Sequence, residues 1–193
     1  TFSLRPAGNL RGGGMMDRTR VDAEPGRTTV THTIEVRDPS LWWPHNRGDQ
    51  SQYVVQAKLD GDERTLRTGL RSVSVDNALR INGKRVRARG VTLIDPTPAD
   101  IERAVEANAN LVRIRAQGVP PAVATACDDR GVLLWQDLPL TGPGRFDAKR
   151  GIEIAKRLTR QLGHHPSLAA VGVHDDRVEL GRRERRQRGL PGD

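Results

Sequence analysis

The chain has 193 residues, of which 35% are hydrophobic and 29% charged, and its formal net charge is +8. This composition is typical of a globular protein with one full-sized core or two small ones, and no hydrophobic run approaches the roughly 18 residues of a membrane span. Residues 177–193 hold six arginines against three carboxylates and contribute +3 of the charge. The rest of the chain is moderately basic, which disfavours nucleic-acid binding.

Cysteine usage limits the covalent chemistry of the chain. Cys127 is the single cysteine, which excludes an internal disulfide framework and a cysteine-based zinc cluster. A lone thiol is compatible with a reducing compartment, so we expect a cytoplasmic location. The chain starts at Thr1 rather than Met, so an N-terminal segment could precede it.

The first half of the sequence reads as antiparallel strands. Residues 27–36, 52–59 and 64–75 alternate apolar and polar side chains, with Gly-Asp turns among them, as half-buried strands do. We expect them to form a β-sandwich. The loop 39–50 interrupts the pattern with adjacent tryptophans, Trp42 and Trp43. Burial of these rings against another part of the fold is the favoured interpretation, and a sugar-stacking platform is the alternative.

The second half alternates strands and helices. Residues 79–93 predict a hairpin around Asn82-Gly83. Thr97 as N-cap, Pro98 at the first helical position and Asp100 three residues after the cap predict the start of a helix. Two further helices over 120–131 and 147–163 end at Gly131 and Gly163. Buried strands are predicted near 88–94, 111–114, 132–136 and 168–174.

This order of elements is typical of a parallel sheet wound with crossover helices. In such a sheet the carboxyl ends of the strands lie along one edge and carry the site, whether the sheet closes into a barrel or stays open. Polar side chains occur at every predicted strand end. They are Thr92, Arg113 and Arg115, Trp135 to Asp137, and His174 to Asp176.

Six segments occur in the order and spacing of family 2 of the glycoside hydrolases, the β-mannosidase, β-galactosidase and β-glucuronidase group. They are "PSLWWP", "GLRSVSV", "INGKRVRARGV", "ANANLVRIR", "CDDRGVLLWQDLP" and "HHPSLAAV". Between about residues 28 and 176 the chain resembles this family, in particular its mannosidase-like branch. The resemblance implies a multidomain β then α/β fold: a partial immunoglobulin-like β-sandwich over 1–76 and the first half of a TIM barrel over 77–176. An arginine-rich, disordered tail is expected over 177–193.

The resemblance also implies a retaining hydrolase of β-glycosides, without a cofactor or metal. In that mechanism one carboxylic acid protonates the leaving oxygen and a second carboxylate attacks the anomeric carbon. Asp176 stands where the family has its acid/base Glu, and Asp175 stands where it has the preceding Asn. Arg113, Trp135 and Asp137 match positions that border the sugar or hold the nucleophile, so we assign them with Asp175 to substrate binding.

Alternatives to these roles stay open. Asp175 and Asp176 could begin a solvated loop, because Asp favours turns. A metal site at His174 to Asp176 is disfavoured, because three adjacent residues rarely converge on one ion.

The family's nucleophile lies on a later barrel strand, and we find no such half after Asp176. We therefore expect the isolated chain to be inactive, with a partner chain or a dimer mate covering the open half-barrel. Two functions remain: a glycosidase that depends on residues outside this chain, or a non-catalytic remnant that binds carbohydrate or protein.

Overall fold

The computed structural model describes residues 1–8, 15–17, 26–115, 117–139 and 148–172. The first half of these residues is β structure and the second half is α/β. No helix in these ranges is long and apolar enough to cross a membrane.

A four-stranded antiparallel sheet forms the N-terminal part. Its strands are β1 (Phe2–Pro6), β2 (Met15–Asp17), β3 (Tyr53–Leu59) and β4 (Asp62–Thr68), in the order β2-β1-β3-β4. Asp60 and Gly61 join β3 to β4 with positive φ angles of 46° and 94°, the backbone that a two-residue hairpin turn requires. The prediction of strand 52–59 is confirmed.

The prediction of a strand over residues 27–36 is wrong. Its alternation of side chains is real, because His32, Ile34 and Val36 are half-buried while the residues between them are exposed. No β-ladder within the described ranges includes this segment. An alternating pattern records which side chains face an apolar surface, and backbone pairing additionally needs a neighbouring strand edge.

The predicted strand over 64–75 is divided in two. The chain leaves β4 at Thr68, passes Gly69 and resumes as β5 (Val73–Val75). A Cβ atom on Gly69 would lie 2.8 Å from the Pro166 ring and 2.9 Å from the Trp42 Cβ. This close approach to the α/β half explains the interruption, because here the backbone packs against another layer.

A small three-stranded sheet follows, in the order β5-β6-β7, with β6 over Leu79–Ile81 and β7 over Lys84–Arg85. Asn82 and Gly83 connect β6 to β7 with φ angles of 50° and 74°. Two consecutive positive φ angles are typical of a type I′ turn, so the predicted hairpin is confirmed.

The α/β half is a four-stranded parallel sheet in the order β11-β10-β9-β8. Its strands are β8 (Gly90–Leu93), β9 (Leu111–Ile114), β10 (Leu133–Asp137) and β11 (Leu168–Gly172), and its helices are α1 (Pro98–Glu106), α2 (Pro121–Arg130) and α3 (Ala148–Leu162). Every pairing among the four strands is parallel. The predicted order of strands and helices is therefore confirmed.

Two apolar clusters lie on opposite sides of the parallel sheet. The helices cover one side, where Ile101 of α1, Val123 of α2 and Leu158 of α3 pack on outward strand residues. On the other side Trp42, Ile81 and Val86 pack on Leu111 and Leu133, near the amino ends of β9 and β10. The small sheet and the tryptophan loop thus close the amino end of this side, and its carboxyl end is left for polar side chains.

The burial interpretation of the tryptophan loop is confirmed for Trp42, and Trp43 is partly buried against the same apolar cluster. The Trp42 ring is fully buried, and its indole N–H donates to the carbonyl oxygen of Asp128 over 2.8 Å. A ring in this position cannot serve as an exposed platform for sugar stacking.

Candidate functional site

The register of the parallel sheet aligns three of the predicted polar positions. Thr92 of β8 pairs with Arg113 of β9, and Arg113 pairs with Trp135 of β10. Side chains at paired positions of neighbouring strands share a face. Asp137 lies two residues after Trp135 and belongs to the same face, at the end of β10.

An ion pair joins the two charged members of this group. The Nε atom of Arg113 donates to Oδ2 of Asp137 over 2.9 Å, and Nη2 lies 2.8 Å from the same oxygen. The guanidinium carbon also lies 5.1 Å from the centroid of the Trp135 ring, within the range of a cation–π interaction. Because the Asp137 side chain is 5% exposed and that of Arg113 is 27% exposed, this pair is largely withdrawn from water.

The second oxygen of the same carboxylate has no such donor. Asp137 Oδ1 is buried and forms no hydrogen bond with the described residues. A buried carboxylate oxygen without a donor is uncommon and costs free energy. Oδ1 therefore keeps an unused capacity to accept a hydrogen bond.

Gly172 of β11 forms the wall beside this oxygen. A Cβ atom there would lie 2.1 Å from Asp137 Oδ1 and 2.7 Å from Trp135 Nε1. Both distances are far below a van der Waals contact, so any larger residue would displace the carboxylate or the indole. The importance of Gly172 was not predicted from the sequence, because its lack of a side chain matters only through strand pairing.

Gln136 was predicted to lie at a strand end, but no role was assigned to it from the sequence. It lies on the helix side of β10 and is fully buried. Its amide oxygen accepts from the Val119 N–H over 2.9 Å, and its Nε2 donates to the Gln117 carbonyl over 2.7 Å. Gln136 thereby fixes the segment that follows β9 at the carboxyl end of the sheet. The sequence signal for this role is an amide side chain within an otherwise largely apolar strand.

A buried polar cluster fixes the opposite end of β11. Asp128 of α2 accepts hydrogen bonds from the Ser167 hydroxyl over 2.6 Å and from the Ser167 N–H over 3.1 Å, and its other oxygen lies 2.5 Å from His165 Nδ1. All three residues are buried. The cluster holds the residues immediately before β11 against α2, which agrees with a positioning role for the segment before that strand.

Arg71 joins the same region from the segment between β4 and β5. Its Nε and Nη2 donate to the carbonyl oxygens of Pro166 and Leu168 over 2.9 and 2.6 Å. Burial lowers the pKa of this guanidinium, and the negative charge of Asp128 opposes that change. The β half of the chain therefore holds β11 directly.

Cys127, next to Asp128 on α2, is fully buried. Burial raises the pKa of its thiol above the usual range, and the charge of Asp128 adds to the effect. A thiol that stays protonated is a poor nucleophile, which agrees with a structural role in the helix.

Of the predicted site residues, the structure brings Arg113, Trp135 and Asp137 together. Asp175 and Asp176, together with His174, lie outside the described residues, as does the tail 177–193. Within the described ranges, no three His, Cys, Asp or Glu side chains are grouped in a way that could hold a metal ion.

Comparison with known proteins identifies relatives of this chain, although no family model matches it. β-Mannosidase B of Neosartorya fischeri is 29% identical over 77% of this chain and 21% of its own length. A β-D-mannosidase structure from Dictyoglomus thermophilum is 25% identical, with a TM-score of 0.57 over 70% of this chain and 21% of that one.

A β-glucuronidase structure from Faecalibacterium prausnitzii is 19% identical and shares the fold, with a TM-score of 0.67 over 81% of this chain and 30% of that one. The chain spans about a fifth of the length of the curated relatives it matches. Over the segment that it shares with these enzymes, the chain is related to glycoside hydrolase family 2.

Proposed function

We propose that this chain is a segment of a retaining glycoside hydrolase of the family 2 type, which cleaves O-glycosidic bonds in β-glycosides. In this proposal Arg113, Trp135 and Asp137 bind the sugar, with Asp175 beside them, and Asp176 is the acid/base. The observation that carries it is the buried Asp137 oxygen without a donor, next to an arginine and a tryptophan.

The chemistry of these three groups suits a sugar. The ion pair keeps the Asp137 carboxylate in one orientation, so Oδ1 can accept from a hydroxyl without first being ordered. Trp135 is 36% exposed and offers an apolar ring face to the C–H groups of a pyranose. A polar acceptor beside a partly exposed aromatic ring matches both surfaces of a sugar.

The architecture of the relatives supports the finer fold assignment. We propose that residues 1–76 belong to an immunoglobulin-like sandwich and residues 77–176 to the first half of a TIM barrel. Four parallel strands supply half of an eight-stranded barrel, and β8 and β11 are the edges that a further element, a partner chain or a dimer mate would cover. Residues 177–193 are proposed to form a tail that does not pack on this body.

Hydrolysis requires more than sugar binding. A retaining enzyme needs two carboxyl groups about 5 to 5.5 Å apart, and Asp176 is one methylene shorter than the Glu that it replaces. Asp175 also introduces a second anion in place of a neutral amide. These departures favour the second candidate function, a non-catalytic module that binds carbohydrate or a protein partner through the same face.

The test is hydrolysis of aryl β-mannosides, β-galactosides and β-glucuronides by the purified chain. We expect no measurable turnover, together with weak binding of the corresponding sugars that Asp137→Ala abolishes. Gln56→Ala, on the distant β3, is a control that should leave sugar binding unchanged. Turnover that disappears in Asp176→Ala would contradict the expected lack of a nucleophile, and unchanged binding in Asp137→Ala would contradict the proposed site.

A further inference from the structure

A group of exposed cations lies on the outer face of the small β5-β6-β7 sheet. Leu79 and Ile81 of β6 pack into the core, so Arg80 between them faces outward. Arg80 pairs directly with Arg85 on β7. Val86 is buried while Arg85 and Arg87 on either side of it are exposed. Three arginines thus share the outward face.

Arg47 of the tryptophan loop extends this surface. Its Nη2 donates to the Arg85 carbonyl over 2.9 Å, at an exposed position. We define the basic face as Arg47, Arg80, Arg85 and Arg87. Lys84, at the start of β7, is exposed but pairs with Ile81 on the other face of the ladder, so it is not part of the basic face.

Few carboxylates neutralise these charges. Asp76 lies 3.8 Å from Arg80, with both side chains well exposed. The guanidinium groups of Arg85 and Arg87 and the ammonium group of Lys84 form no ion pair with any residue that the structure describes. The guanidinium of the nearby Arg89 is engaged by two oxygens of Asn108. Those of Arg80 and Arg47 each donate to one carbonyl oxygen, of Gly83 and Arg85 respectively.

This arrangement is unfavourable for the isolated protein. Like charges directly opposite each other on an antiparallel ladder are destabilising. Charges within a Debye length, about 8 to 10 Å at physiological salt, also reinforce one another's field. A bound polyanion would relieve both effects.

We propose that the basic face binds an acidic polysaccharide, through carboxylates on neighbouring sugar units of a polyuronide. Guanidinium groups hold carboxylates with two parallel hydrogen bonds. Neighbouring strands lie about 4.8 Å apart, so the cross-strand pair Arg80 and Arg85 presents two such groups side by side. The choice of a glycan among polyanions rests on the proposed function, and the charge of the face does not.

Nucleic acid is the less suitable occupant. Single-stranded nucleic acids are bound by basic grooves in which bases stack on exposed aromatic rings. No aromatic residue belongs to the basic face, and the nearby Trp42 is fully buried. The face thus offers no aromatic ring on which a base could stack.

The experiment measures binding of oligogalacturonate to the full chain by calorimetry, at about 50 mM and about 200 mM salt. The Arg85→Gln/Arg87→Gln variant should bind about tenfold more weakly, with a smaller salt dependence, since each lost contact reduces the salt slope by about one. The matched control is Arg64→Gln/Arg157→Gln, which removes the same charge from exposed positions on β4 and α3. It should stay within about twofold of the wild type. Thermal unfolding of both variants checks that each is folded.

Three outcomes overturn the proposal: no binding of oligogalacturonate, an equal loss in the control variant, or tighter binding of single-stranded DNA of the same charge. The Asp137→Ala variant separates this proposal from the proposed function. It should keep full affinity for oligogalacturonate even though it loses binding of neutral β-glycosides. Loss of both in Asp137→Ala would mean that a single site binds both ligands, which also overturns the proposal.

Discussion

Arg113 and Asp137 join neighbouring parallel strands through a hydrogen bond from Nε and an ion-pair contact from Nη2, both to the same carboxylate oxygen. This geometry leaves the other oxygen of Asp137 buried beside Gly172 and Trp135. The pair therefore has two consequences. It neutralises a carboxylate that water hardly reaches, and it leaves the other carboxylate oxygen without a donor among the described residues.

The first consequence predicts an asymmetric response to substitution. Arg113→Met leaves a buried carboxylate without its cation and should lower the free energy of unfolding by about 3 kcal/mol. Asp137→Asn leaves a partly exposed guanidinium that water can solvate, and should cost about 1 to 2 kcal/mol. The double variant should cost less than the sum of the two. Urea unfolding measures all three, and strictly additive losses would contradict a direct interaction.

Gly172 provides a steric test of the same geometry. Gly172→Ala should lower the free energy of unfolding by about 1 to 3 kcal/mol, because its Cβ would overlap the Asp137 carboxylate. Gly118→Ala is the matched control, since a Cβ there meets nothing within 4 Å. The cost of Gly172→Ala should shrink in an Asp137→Ala background. A similar small effect of both alanines in thermal unfolding would contradict the close approach.

Asp128 and Asp129 are adjacent and should differ sharply. Asp128→Ala removes the acceptor for the Ser167 hydroxyl and N–H and leaves them buried, so we expect a loss of about 3 kcal/mol or more. Asp129→Ala breaks an exposed contact with Arg67, 3.5 Å away, and a hydrogen bond from Gln52, and should cost about 1 kcal/mol or less. Equal losses in chemical denaturation would show that the buried cluster does not hold β11.

The start of α1 predicts a pH dependence of stability. The Thr97 hydroxyl, the Thr97 N–H and then Arg103 lower the pKa of Asp100. Because the folded pKa lies below the unfolded value of about 3.9, the ionised carboxylate stabilises the fold above that value. This contribution is lost as the pH falls through the folded pKa.

Asp100→Asn should therefore be less stable than the wild type at pH 7, and the difference should shrink as the pH falls through the folded pKa of Asp100. Asp62→Asn, at the start of β4, is the control, and its melting temperature should follow that of the wild type across the range. A difference between Asp100→Asn and the wild type that stays constant with pH would exclude ionisation as its cause.

The elements that the sequence predicted well are those in which local chemistry and packing agree. Asn82-Gly83 specifies its turn through backbone conformation alone, and Thr97, Pro98 and Asp100 specify a helix start in the same way. The order of strands and helices then leaves few sheet topologies. Residues 27–36 failed because alternation specifies a buried face, whereas a strand also needs a partner edge.

The site was predictable in part for a related reason. Arg113, Trp135 and Asp137 could be located at strand ends from the order of elements, since parallel strands end at one edge. Their mutual geometry depends on register, and so does the contact of Gly172 with Asp137. The cluster of Asp128, His165 and Ser167 joins residues 37 to 39 positions apart, and no local pattern reports such a contact.

The most direct test of the candidate site is an NMR titration of the isotope-labelled chain with methyl β-mannoside, following the indole N–H of each tryptophan. We expect the Trp135 resonance to shift with millimolar affinity while that of the buried Trp42 stays unchanged, and we expect Asp137→Ala to abolish the shift. A Trp135 resonance that does not move in the wild type, or that moves equally in Asp137→Ala, would contradict sugar binding at the carboxyl end of the parallel sheet.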